Sequence, residues 1–282
     1  MRAFRKICAL PSRGRRLHAD ERGMSILEML VVVLIGSLVV YAGLETFVTM
    51  NHQTIWQDQV TDAQQSARAV QRVLSEHLRM AGFGIPLILY PVLGTDANPD
   101  TITITHQTPD GCEAFLSASM ADPSDNVTCD GEDLSCFSEG QWVFIHDATV
   151  DSGEFFQIGA IQSAPDALVP ATGLERAYPN GAAVYNIAQY TFYVDNSDTA
   201  HPNLMVQEYG GNAEVYAENI EDLRFAYIMQ SGDTVQTPTQ PYLVTNVLVS
   251  LVARTSRIDE DIAQDYRRRP LDFNVSIRNL EF

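Results

Sequence analysis

The sequence has 282 residues, of which 45% are hydrophobic and 19% charged, and this composition is typical of a chain that folds around an apolar core in one large domain or two small ones. It excludes a wholly disordered chain and a protein with many membrane spans. The formal net charge of −18 disfavours non-specific binding to phosphate backbones, so no nucleic-acid partner is expected.

The basic residues are concentrated at the N-terminus. Seven of the 18 lie before Gly23, which leaves 11 basic against 34 acidic residues, a net of −23, in the rest of the chain. Lys6 is the only lysine. Lysine-based Schiff-base chemistry is therefore excluded beyond this segment.

An apolar segment follows, reading MSILEMLVVVLIGSLVVYAGL over residues 24–44 with the single charge Glu28. As a helix it is roughly 30 Å long, enough to cross a bilayer. Basic residues before it, and none after it until Arg68, predict a cytoplasmic N-terminus and an exported body. An uncleaved anchor and a signal peptide cleaved after Val40-Tyr41-Ala42 both fit this pattern. Neither explains Glu28, because a carboxylate in an apolar span costs about 2.5–3.5 kcal/mol on insertion.

The sequence RGMSILEML at residues 22–30 resembles the class III signal of type IV prepilins. The resemblance implies that residues 1–23 are a leader, that a prepilin peptidase cuts between Gly23 and Met24, and that it methylates the new amine of Met24. Met24 stands where Phe is commonest, Ser25 where Thr is commonest, and Glu45 where many major pilins have a helix-bending Pro. A buried ammonium at Met24 requires a counter-charge, so Glu28 is predicted to register subunits during assembly.

Beyond the span, apolar or small residues recur at steps of three and four, which predicts one face of a helix. These residues are Val60, Ala63, Ala67, Val70, Leu74, Leu78 and Ala81. The sequence GFGIP at residues 82–86 ends the pattern. Residues 24–82 are therefore predicted to form one long helix, with a transmembrane part at 24–44 and an amphipathic part behind it.

Residues 83–282 are predicted to form an exported, β-rich domain, because β-branched and aromatic runs alternate with turn residues. The predicted strands are Thr101–Thr105, Gln141–His146, Glu154–Ile161, Ala183–Val194, Asn203–Glu208, Leu223–Met229, Asn246–Arg254 and Asp272–Arg278. Ala217–Leu223 is either a short helix or the start of a strand, and residues 110–140, the acidic loop, are predicted to be an elaborated loop. One long helix followed by strands favours an α+β fold, with an antiparallel sheet packed on the helix.

Three further segments resemble the PilW-type minor pilins: RMAGF at 79–83, ENIEDLRF at 218–225, and RRR at 267–269 followed by VSIRNL at 275–280. The resemblance implies a type IV pilin-like fold and a subunit that primes or caps a pilus and supports adhesion, motility or uptake. It implies as partners the prepilin peptidase, other minor pilins, the major pilin, the inner-membrane assembly platform and membrane lipid. The location it implies is the bacterial inner membrane, then the periplasm or a surface pilus. J-type pseudopilins of type II secretion share this plan and are the first alternative, and a signal-cleaved soluble periplasmic protein is the second.

The cleaved chain would keep three cysteines, Cys112, Cys129 and Cys136, since Cys8 lies in the leader. An exported domain favours a disulfide, and Cys129–Cys136 or Cys112–Cys136 are the preferred bridges. The spacing does not match a zinc motif.

No metal, cofactor or catalytic residue is expected. The carboxylates of the acidic loop (Asp122, Asp125, Asp130, Glu132 and Asp133) suit calcium in kind, but the EF-hand spacing fails, so a solvated loop is the preferred interpretation. The six histidines are dispersed, and the motifs of zinc proteases, serine hydrolases and nucleotide-binding loops are absent, so an enzyme is not expected.

Arg267, Arg268 and Arg269 form the densest basic run of the acidic body. They are interpreted first as a solvated hairpin end. The functional alternative is a contact with an acidic neighbouring subunit, and capture of DNA is a remote third.

Overall fold

The computed structural model describes residues 25–259 and 265–278. The predicted leader and the cleavage site between Gly23 and Met24 lie outside the described residues. The chain divides into two compact units, Met1–Ile55 and Trp56–Phe282. The described part of the first unit is helical, and the second unit contains all the strands.

Helix α1 spans Ile26–Met80, 55 residues without a proline. It ends where the sequence predicts an end, because Gly82 and Gly84 adopt φ angles of +81° and +61°, which other residues rarely adopt. The amide of Gly82 then donates to the carbonyl of Thr105 at 3.0 Å, so the chain leaves the helix directly onto a strand.

In the part of the chain that the structure describes, fifteen strands form three sheets, and every strand pair is antiparallel. The five-stranded sheet has the order β1 (Val92–Thr95), β2 (Thr101–Gln107), β9 (Ile187–Asp195), β10 (Asn203–Glu208), β11 (Ala213–Glu218). The four-stranded sheet has the order β13 (Thr234–Val235), β12 (Ile220–Met229), β14 (Val244–Arg254), β15 (Arg268–Ser276), and a short 3₁₀ helix, Pro241–Leu243, precedes β14. The six-stranded sheet has the order β3 (Glu113–Phe115), β8 (Ala183–Tyr185), β5 (Trp142–Asp147), β6 (Ser152–Ser163), β7 (Asp166–Pro170), β4 (Val127–Thr128).

Two apolar clusters form the core of the second unit. The first joins the predicted helix face, from Ala63 to Ala81, to the inner faces of the five- and four-stranded sheets. Val70, Leu74 and Leu78 are fully buried there, each worth about 1.5–3 kcal/mol relative to an exposed side chain. The second cluster lies in the six-stranded sheet and the acidic loop. The α+β layout predicted from the sequence, a long N-terminal apolar helix packed on antiparallel sheets, is confirmed.

Two expectations about the body were wrong in detail. The single sheet is three sheets, because a second core forms around the acidic loop. That loop contains β3 and β4 and buries Leu116 and Phe137, so it is a part of the core with an acidic exterior.

Of the two alternatives for Ala217–Leu223, the start of a strand is confirmed. Strand β11 ends at Glu218 and β12 begins at Ile220, with Asn219 between them at φ +59°.

Candidate functional site: the apolar helix surface and the charged clusters

The first candidate site is the N-terminal part of α1. Every residue from Ile26 to Ile55 is exposed, and the apolar side chains among them are 87% exposed at Ile26 and still 62% exposed at Met50. The helix is long and apolar enough to span a membrane. An apolar surface of this extent is not stable in water, so it requires lipid or other protein to cover it.

Four hydroxyl groups of this surface are satisfied within the helix. The hydroxyl of Ser37 donates to the carbonyl of Leu34, and those of Thr46, Thr49 and Thr54 donate to the carbonyl four residues earlier, at 2.8–3.0 Å. An apolar solvent offers no other partner to a hydroxyl, so this arrangement suits a lipid or fibre interior.

Glu28 lies in the first turn of α1 and is exposed. Within the described residues its carboxylate has no ion pair or hydrogen bond. The amide of Met29 donates the first helical hydrogen bond, to the backbone carbonyl of Ser25. Met24 lies outside the described residues, four positions before Glu28 in the sequence.

The second candidate site is the basic run Arg267–Arg269, and the structure separates its members. Arg267 pairs with the fully buried Asp259 and lies over the Trp56 ring of the helix, 5.5 Å from its centroid. Arg268 binds both carboxylate oxygens of Glu221, at 2.6 and 2.9 Å.

Arg269 is exposed and has no partner among the described side chains. The basic run therefore mostly fastens β15 to the rest of the four-stranded sheet. A contact with a neighbouring subunit stays a prediction, and Arg269 is the member with a free guanidinium for it.

The segment ENIEDLRF runs from the last residue of β11 into the start of β12, and its charged side chains make contacts within the fold. Glu221 pairs with Arg268 and lies 3.7 Å from Arg254, which is 5% exposed and stacks on Tyr266 at 3.9 Å. Three residues on, Arg224 donates to the carbonyl of Ala97 at 2.7 Å. The charged side chains of Glu221 and Arg224 therefore have a structural role within the fold.

Asp100 is a buried carboxylate that the sequence did not single out. Its oxygens accept hydrogen bonds from the amides of Ala97 and Phe225, at 3.0 and 2.8 Å, and Arg224 lies 3.7 Å away. It ties the turn before β2 to strand β12, 125 residues later. No local sequence pattern predicts a partner as distant in the chain as Phe225.

The cysteines of the acidic loop are Cys112 and Cys136, which form a disulfide with a Cα–Cα distance of 6.0 Å, and Cys129, which is free and buried. A disulfide in this loop was predicted, and of the two preferred pairings Cys129–Cys136 is the one that does not form. Burial raises the pKa of the Cys129 thiol to about 12, so it is inert at neutral pH.

The carboxylates of the acidic loop are used locally. Asp125 accepts hydrogen bonds from the amides of Ala121 and Asp122, at 2.8 and 2.9 Å, and Asp133 accepts one from the amide of Ser135. Among the described residues, no group of three or more His, Cys, Asp or Glu side chains is arranged to hold a metal ion.

The fold brings together two histidines that are far apart in the sequence. His77, in the last turn of α1, has its Nδ1 3.1 Å from Nε2 of His106 on β2. In the sequence the histidines are dispersed, and the 28 residues between these two carry no motif that would predict the contact.

Comparison with known proteins adds no relative: no protein-family model and no curated sequence matches the chain.

Proposed function

We propose that the chain is a minor pilin of the PilW type, a structural and assembly subunit of a type IV pilus. One observation carries the proposal. The Gly-Met…Glu signal at residues 23–28 reaches into the first turn of a helix whose first part is apolar and exposed and whose last part is packed on sheets.

The two parts of α1 have different surroundings for a physical reason. Apart from the carboxylates of Glu28 and Glu45, the residues from Ile26 to Met50 expose mostly apolar side chains and hydroxyls bonded within the helix, which suits lipid before assembly and the packed helices of a fibre after it. The residues from Ala63 to Leu78 are covered by the chain's own sheets. A subunit built this way moves from membrane to fibre without refolding its body.

In this proposal a prepilin peptidase removes residues 1–23 and methylates Met24, and the chain is held in the bacterial inner membrane until the assembly platform transfers it into the fibre. There it joins other minor pilins and the major pilin and primes or caps the pilus, which in turn supports adhesion, motility or uptake. The body serves as a folded unit that presents surfaces to these partners.

The proposal is tested by replacing Glu28 with Gln in the cells that make the protein. We expect the variant to be cleaved and inserted normally but to be depleted from sheared fibres at least about tenfold, because an unpaired buried ammonium is costly by several kcal/mol. Immunoblots of fibre and membrane fractions measure this.

Glu45→Gln is the matched control, because Glu45 is another exposed carboxylate of the same helix but lies beyond the apolar span. It should enter fibres normally. If the Glu28→Gln variant enters fibres as well as the wild type does, the proposed role of Glu28 in registering subunits is wrong.

Deletion of the chain separates the pilus from the secretion alternative. We expect loss of surface fibres with protein secretion intact. Loss of secreted enzymes with fibres intact would instead make the chain a J-type pseudopilin.

A further inference from the structure

The pair of His77 and His106 lies where the end of α1 meets the five-stranded sheet. The two rings stack with centroids 5.4 Å apart, and the His77 ring also lies 4.5 Å from Tyr190 and 5.6 Å from Phe192 of β9. His106 is buried and His77 half-buried. The pair is thus enclosed by helix, sheet and aromatic side chains.

The hydrogen bonds of the two rings determine which ring nitrogens of His77 and His106 carry a proton. Nδ1 of His106 is 2.9 Å from the carbonyl oxygen of Gln107, which can only accept, so this nitrogen carries the proton and Nε2 carries the lone pair. Nδ1–H of His77 must then donate to Nε2 of His106. The contact accommodates at most one added proton, because a neutral His77 can accept from protonated His106 only by moving its own proton to Nε2, and protonation of both rings would set two N–H groups against each other.

The groups around the pair favour the neutral state. Burial, and then His106, lower the pKa of His77 to about 4, and Glu76 on the same helix opposes them only in part. Burial also lowers the pKa of His106, against the hydrogen bond to Gln107. The carboxylate of Glu208 on β10 faces Tyr190 rather than the histidines, and raises the pKa of that phenol.

Backbone hydrogen bonds fasten the helix end on either side of His106. Besides the Gly82 amide, which donates to Thr105, the amide of Gln107 donates to the carbonyl of Phe83 at 2.7 Å. The chain that leaves α1 is therefore held to β2 through the residues that flank His106.

We propose that His77 and His106 form an acid-sensitive latch, which holds the C-terminal end of α1 on the sheet at neutral pH and releases it as the medium acidifies. Well above pH 6.5 both imidazoles are neutral whether the end is docked or free. As the pH falls from 6.5 towards about 4, the free histidines take up protons that the docked pair does not, and docking is progressively lost.

Hydrogen exchange on the full-length chain in detergent, at pH 7 and pH 4.5, tests the latch. After division by the intrinsic rate, we expect amides 80–84 and 105–108 to exchange at least about tenfold faster at pH 4.5, since each pKa unit between free and docked histidine is worth a factor of ten. The amides of β14, in the same core, should keep their protection. Equal acceleration of β14 would show global unfolding and overturn the latch.

His77→Asn is the decisive variant. The side-chain amide of the asparagine can donate to neutral His106 through its nitrogen, or rotate and accept from protonated His106 through its oxygen. The acceleration of exchange between pH 7 and pH 4.5 should therefore fall below about twofold. His201→Gln is the control, because His201 is an exposed histidine paired only with Asp198, and it should keep the wild-type response.

An unchanged acid response in His77→Asn would overturn the proposal. Imidazole titration of the wild type by NMR is an independent check that does not depend on any variant folding. For the latch to work, the pKa values of His77 and His106 must both lie below 6.5, and a pKa at or above 6.5 for His77 would contradict the proposal.

Discussion

Three consecutive arginines of this chain have three different surroundings. Arg267 is held against a buried carboxylate and an indole ring, Arg268 binds a carboxylate through two nitrogens, and Arg269 is exposed without a partner in the described chain. In the sequence they are one positive patch. In the structure most of that charge is neutralised by Asp259, Glu221 and Asp265.

Replacing Arg268 with Ala should therefore lower the free energy of unfolding by about 1 kcal/mol, a modest value because the side chain is partly exposed. Urea unfolding of the detergent-solubilised protein, followed by tryptophan fluorescence, measures it. Arg269→Ala is the matched control and should change the free energy by less than about 0.5 kcal/mol. Equal losses in the two variants would contradict the assignment of these contacts.

Cys129 offers a second test at the residue scale. Because its thiol is buried and the pKa is raised to about 12, we expect no alkylation by iodoacetamide in the native protein at pH 8, and full alkylation after denaturation. The intact mass before and after labelling measures this. Labelling of Cys112 or Cys136 without a reductant would show that the Cys112–Cys136 disulfide is not the one formed.

At the scale of elements, the packing of β1 on β12 depends on a glycine. A side-chain carbon at Gly94 would lie 2.8 Å from ring carbon Cε2 of Tyr227 and closer still to its hydroxyl, so only glycine fits. That hydroxyl is itself buried without a hydrogen-bond partner in the described chain.

Gly94→Ala should destabilise the body by about 1–3 kcal/mol through overpacking. Tyr227→Phe should be neutral or stabilising by up to about 1 kcal/mol, because it removes an unpaired buried hydroxyl, and it should relieve part of the Gly94→Ala loss in the double variant. The thermal unfolding midpoints of the two single variants and the double variant measure these changes.

Gly173→Ala is the control, since the nearest atom to the added carbon is 3.6 Å away. Strictly additive losses in the double variant would rule out the contact between positions 94 and 227.

The long elements could be predicted from the sequence because their periodicity is local. The helix face from Ala63 to Ala81 follows from steps of three and four, and Asn203–Glu208 is a strand with the predicted ends. The short strands β3 and β4 have three and two residues, too few to show a period.

The division into three sheets could not be predicted, because it depends on distant partners. The predicted strand Ala183–Val194 is broken at Asn186, whose amide donates to the carbonyl of Cys112. On one side of that residue the chain pairs within the six-stranded sheet, and on the other within the five-stranded sheet. The same limit applies to the pair of His77 and His106, which only the position of β2 under the helix brings together.

At the scale of the whole molecule, charge and apolar surface are distributed along the chain in a fixed order. Seven basic residues precede Gly23, the exposed apolar surface of α1 follows, and the remainder has a net charge of −23. Basic flanks stay on the cytoplasmic side of a membrane, and an acidic body is repelled by anionic lipid headgroups. This order suits a subunit that is inserted once and then transferred out of the bilayer.

The central claim is tested most directly by the intact mass and N-terminal sequence of the protein extracted from the membranes of the cells that make it. The account predicts a chain that begins at N-methylated Met24, and an uncleaved product when Gly23 is replaced by Ala. A chain that begins at Gly43 would make this an exported soluble domain, and one that begins at Met1 a plain membrane anchor; either result would contradict the pilin account.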